Sequence, residues 1–567
     1  MKNIILAEEF DRFAKVLDFR GNKEDFFRLR ALRRGMQIIR NLPEPIENYS
    51  YDDLIAISGI GKGMADKIVE FNQKGFVEEF EQEYRNTPPG IFDLFGLSLL
   101  GAKKIRLLNK ALGVTDIPEL KKAIESGEVE KLRGFGKKSA EKLLWSIGMQ
   151  KILVQKKCRG TIYGIAMRMV KSLEAQDFVK RASVAGSMRR GKEEVHDLDL
   201  LASGDEPLEI IDFFCSNSDI TEVLAKGETK ATVILNDYLQ VDLRVVSDEI
   251  WGSALQHFTG SKEHNVMLRS MAKRQGLKIS EWGVFDGERR IGAKTEEEVY
   301  QAVGLGFIPH EIREGVLEFS REVPDLLESS DVRGDLHLHS TYSDGLSSIE
   351  EMVKKALSLN YEYMAITDHS SLIPIANGLD ESRLDEQREE ILILQKKYPQ
   401  IRILYGTECD ILEDGSLVYS DDVLRRFDFV VASIHRNMNE KPTERTLRAI
   451  ESPYVNLIAH PTGQRESEKA PMEIDFEKIF KKCVETGTAL EVNASPYRID
   501  LRSNVAIEAV ERGVKLALNT DAHITNDMDN IHLAVTCARR SWCTKKEVIN
   551  AWSLEELMDF VERKRRG

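Results

Sequence analysis

From Gly334 to the C-terminus, short apolar runs alternate with helical segments, and run after run ends on a residue able to ligate a metal. Asp335-Leu336-His337-Leu338-His339 alternates, which places His337 and His339 on one face of a strand, and Asp344 follows. The run 363–367 leads into Asp368-His369, 402–406 into Glu408, 429–434 into His435, 456–459 into His460, and 515–520 into Asp521-Ala522-His523. Such alternation predicts repeated β/α units, with the polar residues gathered just past the C-terminal strand ends at the mouth of a barrel. Six of the eleven histidines fall at these points, so scattered core burial, the ordinary fate of a lone histidine, does not account for them.

These residues resemble the PHP (polymerase and histidinol phosphatase) domain, a distorted β/α barrel. The resemblance implies nine ligands, His337, His339, Asp344, His369, Glu408, His435, His460, Asp521 and His523, holding up to three ions. Mixed nitrogen and carboxylate donors suit Mn²⁺, Zn²⁺ or Fe²⁺ without choosing among them. The chemistry implied is metal-dependent phosphoester hydrolysis: 3′→5′ exonuclease or 3′-end cleaning, with abasic-site incision as an alternative. The stretches 460–463 and 491–494 resemble family loops beside the metals and receive no catalytic role of their own.

A second acidic constellation lies upstream. Gly186-Ser187-Met188-Arg189-Arg190-Gly191 precedes Asp197-Leu198-Asp199, whose carboxylates share one strand face, and Asp242 in 240–244 offers a third from a neighbouring strand. Three hard oxygen ligands suit two Mg²⁺ or Mn²⁺ ions, with Ser187 and Arg190 on triphosphate oxygens. An isolated D-x-D is more often a surface strand edge; the upstream Gly-Ser and arginines favour the nucleotide reading here.

Together with 227–231, 241–246 and 255–265, these motifs resemble the family X DNA polymerases of bacteria and archaea. The resemblance implies catalytic Asp197, Asp199 and Asp242, with Gly186, Ser187, Arg190, His257, Phe258, Gly260, Asn265 and Arg269 around the nucleotide and template. Two positions depart from the family pattern: His196 stands where glycine is usual, and His257 where a tyrosine helps exclude ribonucleotides. Lys67 aligns with the family's Schiff-base lysine, a lyase reading set against Leu32 and Glu79 at neighbouring family positions and against a plain surface lysine.

The first 160 residues read as helical, with apolar residues three and four apart. Gly59-Ile60-Gly61-Lys62-Gly63 and Gly134-Phe135-Gly136-Lys137-Lys138 each precede a helix; they look like helix-hairpin-helix turns, which grip DNA phosphates through backbone N–H groups. A third copy, 98–104, has Leu99 at the first glycine position and reads as a packing element. Net charge is −14, yet residues 101–160 carry 15 Lys/Arg against 6 Asp/Glu, so a basic section sits ahead of acidic, metal-holding ones.

The expected fold is multidomain α+β and α/β. Residues 1–85 form a lyase-like domain with a helix-hairpin-helix, 86–160 a fingers-like domain with another, 161–255 a nucleotidyltransferase palm, and 256–320 a thumb. A linker, 321–333, precedes the PHP domain at 334–567, and a charged, helical stretch is expected near 309–330. No membrane span or signal peptide is expected, so the reading is a cytoplasmic monomer acting on gapped or nicked duplex DNA with dNTPs. Rival readings are a repair nuclease whose polymerisation is weakened by His196, a binding-only scaffold, and a small-molecule phosphatase of the histidinol phosphate type.

Overall fold

Seven strands in chain order, Gly334–Leu338, Tyr363–Ile366, Arg402–Asp410, Phe429–Ser433, Leu457–Ile458, Ala489–Asn493 and Leu516–Asn519, form one all-parallel sheet in a computed structural model of the protein. The first and last strands meet through a parallel bridge between Leu338 and Ala522, so the sheet nearly closes into a barrel. Their residues are buried almost throughout, as parallel strands covered on both faces must be. The structure describes residues 2–40, 42, 46–57, 59–97, 100–153, 156–236, 238–315, 317–372, 376–465 and 470–566.

Contacts divide the chain into two compact units: Met1–Gln155 with Asp237–Leu239, and Lys156–Asn236 with Gln240–Gly567. The first is helical and holds two apolar cores, one around Phe10, Phe13 and Phe80, the other around Leu94, Ile105 and Leu120. Gly59 at φ +108° and Gly134 at φ +99° make the expected tight turns, and the helices Lys62–Lys74 and Lys137–Leu153 follow. In both turns the residue between the glycines donates its N–H three residues back, Ile60 to Ile57 and Phe135 to Leu132, each at 3.0 Å. Leu100 donates to Leu97 in the same way ahead of Ala102–Leu112, although the third copy's Leu99 lies outside the described residues.

The second unit joins the barrel to a five-stranded sheet ordered Arg181–Val184, Asp197–Ser203, Leu239–Val246, Lys230–Leu235 and Ile220–Lys226. A three-stranded sheet, Leu277–Ser280 with Gly283–Asp286 and Arg289–Gly292, accompanies the helices Lys262–Arg274 and Glu296–Gln301. The helical expectation for 309–330 is corrected: among the described residues of this segment only the short turns His310–Ile312, Leu317–Phe319 and Ser329–Asp331 form. Pro309, Gly315 and Pro324 break the period, and the segment is fixed instead by buried side chains. Arg313 is wholly buried, and Leu327 donates its N–H to the Cys543 carbonyl at 2.9 Å, which ties the linker to the barrel domain.

Arg313 belongs to an ion triplet. Its Nη1 lies 2.6 Å from Glu296 Oε1, while Arg189 Nη2 lies 2.7 Å from Glu296 Oε2. Burial pushes the Glu296 carboxyl up, but Arg313 and Arg189 outweigh it and hold it down at about 2. Glu296→Gln is expected to cost about 3 kcal/mol at neutral pH, since it leaves a buried guanidinium without its counter-charge. A folded-state value below the ordinary one means this contribution is complete above about pH 5 and is lost toward about pH 2. Urea unfolding of both proteins across that range should show the gap closing as pH falls; a gap that widens would refute the assignment.

Candidate active sites

The three carboxylates of the upstream constellation lie where strand geometry puts them. Asp197–Ser203 runs parallel to Leu239–Val246 with Asp199 paired to Asp242, and Asp197, two residues earlier, shares the face. Burial and the neighbouring carboxylates push Asp199 up to about 7, and burial with Asp242 raises Asp197. Asp242 is held down despite burial because Thr232 Oγ1 (2.6 Å), Gln240 Nε2 (2.7 Å) and Lys230 Nζ (3.0 Å) all face it. Gly186 has φ +56°, and a Cβ there would stand 2.0 Å from Asp199 Oδ2, so only glycine fits this approach.

Around this centre, Arg190 donates to the Thr259 carbonyl, and Gly260 lies close enough that a Cβ would be 3.2 Å from Arg190 Nη1. Ser187 lies in the short helix Gly186–Arg189. Phe258 has the Arg244 guanidinium 4.6 Å from its ring centre and His257 beside it at 5.0 Å. Asn265 is engaged at both ends of its amide, accepting from Gln256 and donating to the His257 carbonyl, each at 2.8 Å, while Arg269 Nε donates to the Asn265 carbonyl at 3.1 Å. His196 is exposed just ahead of the strand. In the helical unit, Lys67 Nζ lies 2.8 Å from Glu79, which Arg28 also binds, so the lysine proposed for Schiff-base chemistry forms an ion pair.

The barrel brings its nine sequence-predicted residues together. Glu408 is the hub: Oε2 faces His369 Nδ1 (3.0 Å), His337 Nε2 (3.4 Å) and His339 Nε2 (3.6 Å), while Oε1 faces His460 Nε2 (2.9 Å) and His435 Nε2 (3.3 Å). Asp521 Oδ1 is 3.2 Å from His339 Nε2, and Asp344 Oδ1 is 3.4 Å from His523 Nε2. Three overlapping sets have ligand atoms within 4.8 Å of one another: His339, Asp344, His369 and His523; His337, His339 and Asp521; and His369, Glu408 and His435. Among the described residues no set combines Asp197, Asp199 and Asp242 at that spacing, and Asp242 is occupied by Lys230 instead. Burial alone would raise Glu408, but His369, His435 and His337 hold its carboxyl well below the usual range.

Metal ions fit the barrel cluster. His337 Nε2, both ring nitrogens of His339 and His369 Nδ1 are buried and, although carboxylate oxygens stand 3.0 to 3.9 Å away, none makes a well-aligned hydrogen bond, a costly arrangement that cation ligation relieves. His460 and Asp521 are held at φ +29° and +54°, left-handed conformations that functional sites tolerate.

Supporting residues escape the strand-end pattern. Glu491 accepts from His337 Nδ1 (2.8 Å), the His460 backbone N–H (2.7 Å), Asn519 Nδ2 (2.9 Å) and Asn493 Nδ2 (3.0 Å). Asp410 accepts from His435 Nδ1 at 2.8 Å and from Ser370 Oγ at 2.6 Å. Each fixes a tautomer whose Nε2 faces the cluster. A charged residue inside an otherwise apolar run such as 489–493 is the sequence signal that marks Glu491, because a buried carboxylate requires partners. The cluster opens into a cavity of about 750 Å³ also lined by Arg436, Tyr497 and Arg498.

Residues 1–76 match a helix-hairpin-helix domain, 254–314 the DNA polymerase beta thumb, and 335–495 the PHP domain. The chain is 41% identical to the DNA polymerase/3′-5′ exonuclease PolX of Bacillus subtilis (strain 168) over 522 residues, which is 90% of this chain and 91% of that protein. A probable phosphatase of Thermoanaerobacter sp. (strain X514) is 28% identical over 248 residues, 41% of this chain and 95% of its own length. One of Acetivibrio thermocellus is 27% identical over 243 residues, again 41% of this chain and 95% of its own. No helix among the described residues is long and apolar enough to cross a membrane. The chain belongs to the bacterial PolX-type family X DNA polymerases, DNA polymerase/3′-5′ exonucleases with helix-hairpin-helix, polymerase beta thumb and C-terminal PHP domains.

Proposed function

We propose that the protein fills short gaps in duplex DNA from dNTPs at the palm and removes 3′-terminal nucleotides at the barrel mouth. The observation carrying this reading is the pairing, in one chain, of a buried histidine–carboxylate cluster with three palm carboxylates below a glycine-hinged arginine turn.

In the palm, Asp197, Asp199 and Asp242 would hold Mg²⁺ or Mn²⁺, and Ser187 and Arg190 the triphosphate. Phe258 and Gly260 border the sugar. In the barrel the nine ligands would hold Mn²⁺, Zn²⁺ or Fe²⁺. Bound metal would supply Lewis acidity to phosphoryl oxygens and lower the pKa of the attacking oxygen, the primer 3′-hydroxyl in the palm and water in the barrel. Glu491 and Asp410 orient His337 and His435, while Arg436 and Arg498 at the mouth meet the phosphates of an entering strand. The helix N-termini after Gly59-Ile60-Gly61-Lys62-Gly63 and Gly134-Phe135-Gly136-Lys137-Lys138 present backbone N–H groups that lack intrahelical partners, suited to DNA phosphates.

A second reading, phosphatase action on a small phosphate monoester, draws support from the probable phosphatases that align with the barrel over 95% of their length. A 5′-labelled primer on a one-nucleotide gap, with Mn²⁺ and with or without dNTPs, separates the readings. Extension should disappear only in Asp197→Ala/Asp199→Ala and shortening only in His337→Ala/His339→Ala. Hydrolysis of histidinol phosphate with no action on the primer end would replace the nuclease reading with the phosphatase one.

A further inference from the structure

The barrel helix Ile531–Arg540 touches the palm at the turn that carries Arg190. Gly191, at φ +71°, approaches it so closely that a Cβ would lie 2.1 Å from Thr536 Cγ2. At the end of the helix, Arg540 is nearly enclosed, its side chain 7% exposed. Its Nη1 donates to the Arg190 carbonyl at 2.8 Å and to the Glu311 carbonyl at 3.1 Å. Its Nη2 donates to Glu314 Oε1 at 3.0 Å and its Nε to Ser503 Oγ at 3.2 Å. Glu314 also binds Lys192, two residues beyond Arg190, at 3.1 Å.

The turn from Gly186 to Lys192 is therefore held at both ends. At its entry the Ala185 N–H donates to the Asp199 carbonyl at 2.8 Å, tying it to the carboxylate strand. At its exit it is held by a residue 350 positions away in the barrel domain. Between these anchors the Arg190 guanidinium donates to Thr259, and its Nε is buried without a partner. Fixing the backbone on either side of Arg190 fixes the direction in which the guanidinium points. A fork of rigid N–H donors does this where the single ammonium of lysine reaches fewer acceptors.

We propose that Arg540 is a positioning residue of the nucleotidyl-transfer site, through which the barrel domain holds Arg190 toward the incoming triphosphate. The proposal rests on the reading of Arg190 as a triphosphate ligand. Among the described residues, none of the contacts above reaches one of the nine barrel ligands, so Arg540 acts on the palm and leaves barrel chemistry alone.

Steady-state gap filling by the full-length protein tests it, read as KM for the dNTP and kcat separately. Arg540→Ala is expected to raise KM about tenfold with kcat within about threefold, the scale of one lost charge-assisted hydrogen bond. Arg540→Lys should recover part of the loss, and primer shortening by both proteins should match wild type. Arg190→Ala should raise KM at least as far, and the double variant should be no worse than Arg190→Ala alone, since both changes remove one function. An Arg190→Ala protein with wild-type KM would overturn the triphosphate reading itself. A raised KM in Arg190→Ala with none in Arg540→Ala would overturn the positioning role alone. Equal loss of extension and shortening in both Arg540 variants, or full additivity in the double variant, would also overturn it by showing general structural damage or independent action.

Discussion

Primer shortening by the Glu408→Gln protein is expected to fall by about a thousandfold, with nucleotide addition retained. Five imidazoles surround the two oxygens of Glu408 at 2.9 to 3.6 Å, and the carboxylate is 1% exposed. Gln keeps the shape, removes the negative charge, and turns an NH₂ toward nitrogens that need an acceptor or a cation. A weaker hold on divalent cations removes their Lewis acidity from the reaction, and a loss of ~4 kcal/mol in transition-state stabilisation corresponds to roughly three decades in rate. The substitution should also lower bound metal per chain, measured by elemental analysis after dialysis against Mn²⁺, a readout independent of turnover. Asp410→Asn offers the graded comparison: it leaves the ligands in place but loosens the His435 tautomer, and a tenfold to hundredfold effect is the scale of such a change. If Glu408→Gln trims primer ends at close to the wild-type rate, the exonuclease lies elsewhere on the chain.

The barrel is readable from sequence because its candidate ligands alternate along or follow apolar runs, even where, as at His337 and Glu408, the strand itself extends over them, and strand periodicity with the β/α alternation locates those runs without knowledge of their neighbours. His337, His369, Glu408, His435 and His523 all satisfy that local rule. Glu491 does not, because its partner His337 lies 154 residues away and only strand order brings them together. Arg498 and Tyr497 follow a strand but sit in a loop whose path periodicity does not encode. The Asp197–Asp199 pair is legible as two residues on one face, and Asp242 as a carboxylate in another strand. Their spacing is set by the parallel register, which no local pattern specifies. The 309–330 segment reads as helical from its charge, yet proline and glycine interrupt it and Arg313 anchors it through tertiary contacts. Arg540 reads as one more basic residue at a helix C-terminus, a favourable place for positive charge in any protein. Only the meeting of helix and turn distinguishes it.

Asp199→Asn is expected to abolish nucleotide addition, by at least about a thousandfold, while primer shortening persists. Burial and the charges of Asp197 and Asp242 raise Asp199 to about 7, so the three carboxylates repel one another in a site that lacks enough positive charge. Divalent cations resolve that repulsion, and an amide at position 199 removes the charge that makes the site attractive to them. A loss of ~4 kcal/mol in transition-state stabilisation corresponds to the thousandfold figure. Gly186→Ala should reproduce much of the defect without altering any carboxylate, because its Cβ would fall 2.0 Å from Asp199 Oδ2 at a φ of +56° that L-residues rarely adopt. Single-turnover extension on a one-nucleotide gap, started by adding metal to preformed protein–DNA–dNTP mixtures, measures both variants at the chemical step. An Asp199→Asn rate within tenfold of wild type would remove the palm carboxylates from catalysis. Loss of shortening together with extension in Gly186→Ala would show instead that the substitution disturbs the barrel domain through the turn that Arg540 braces.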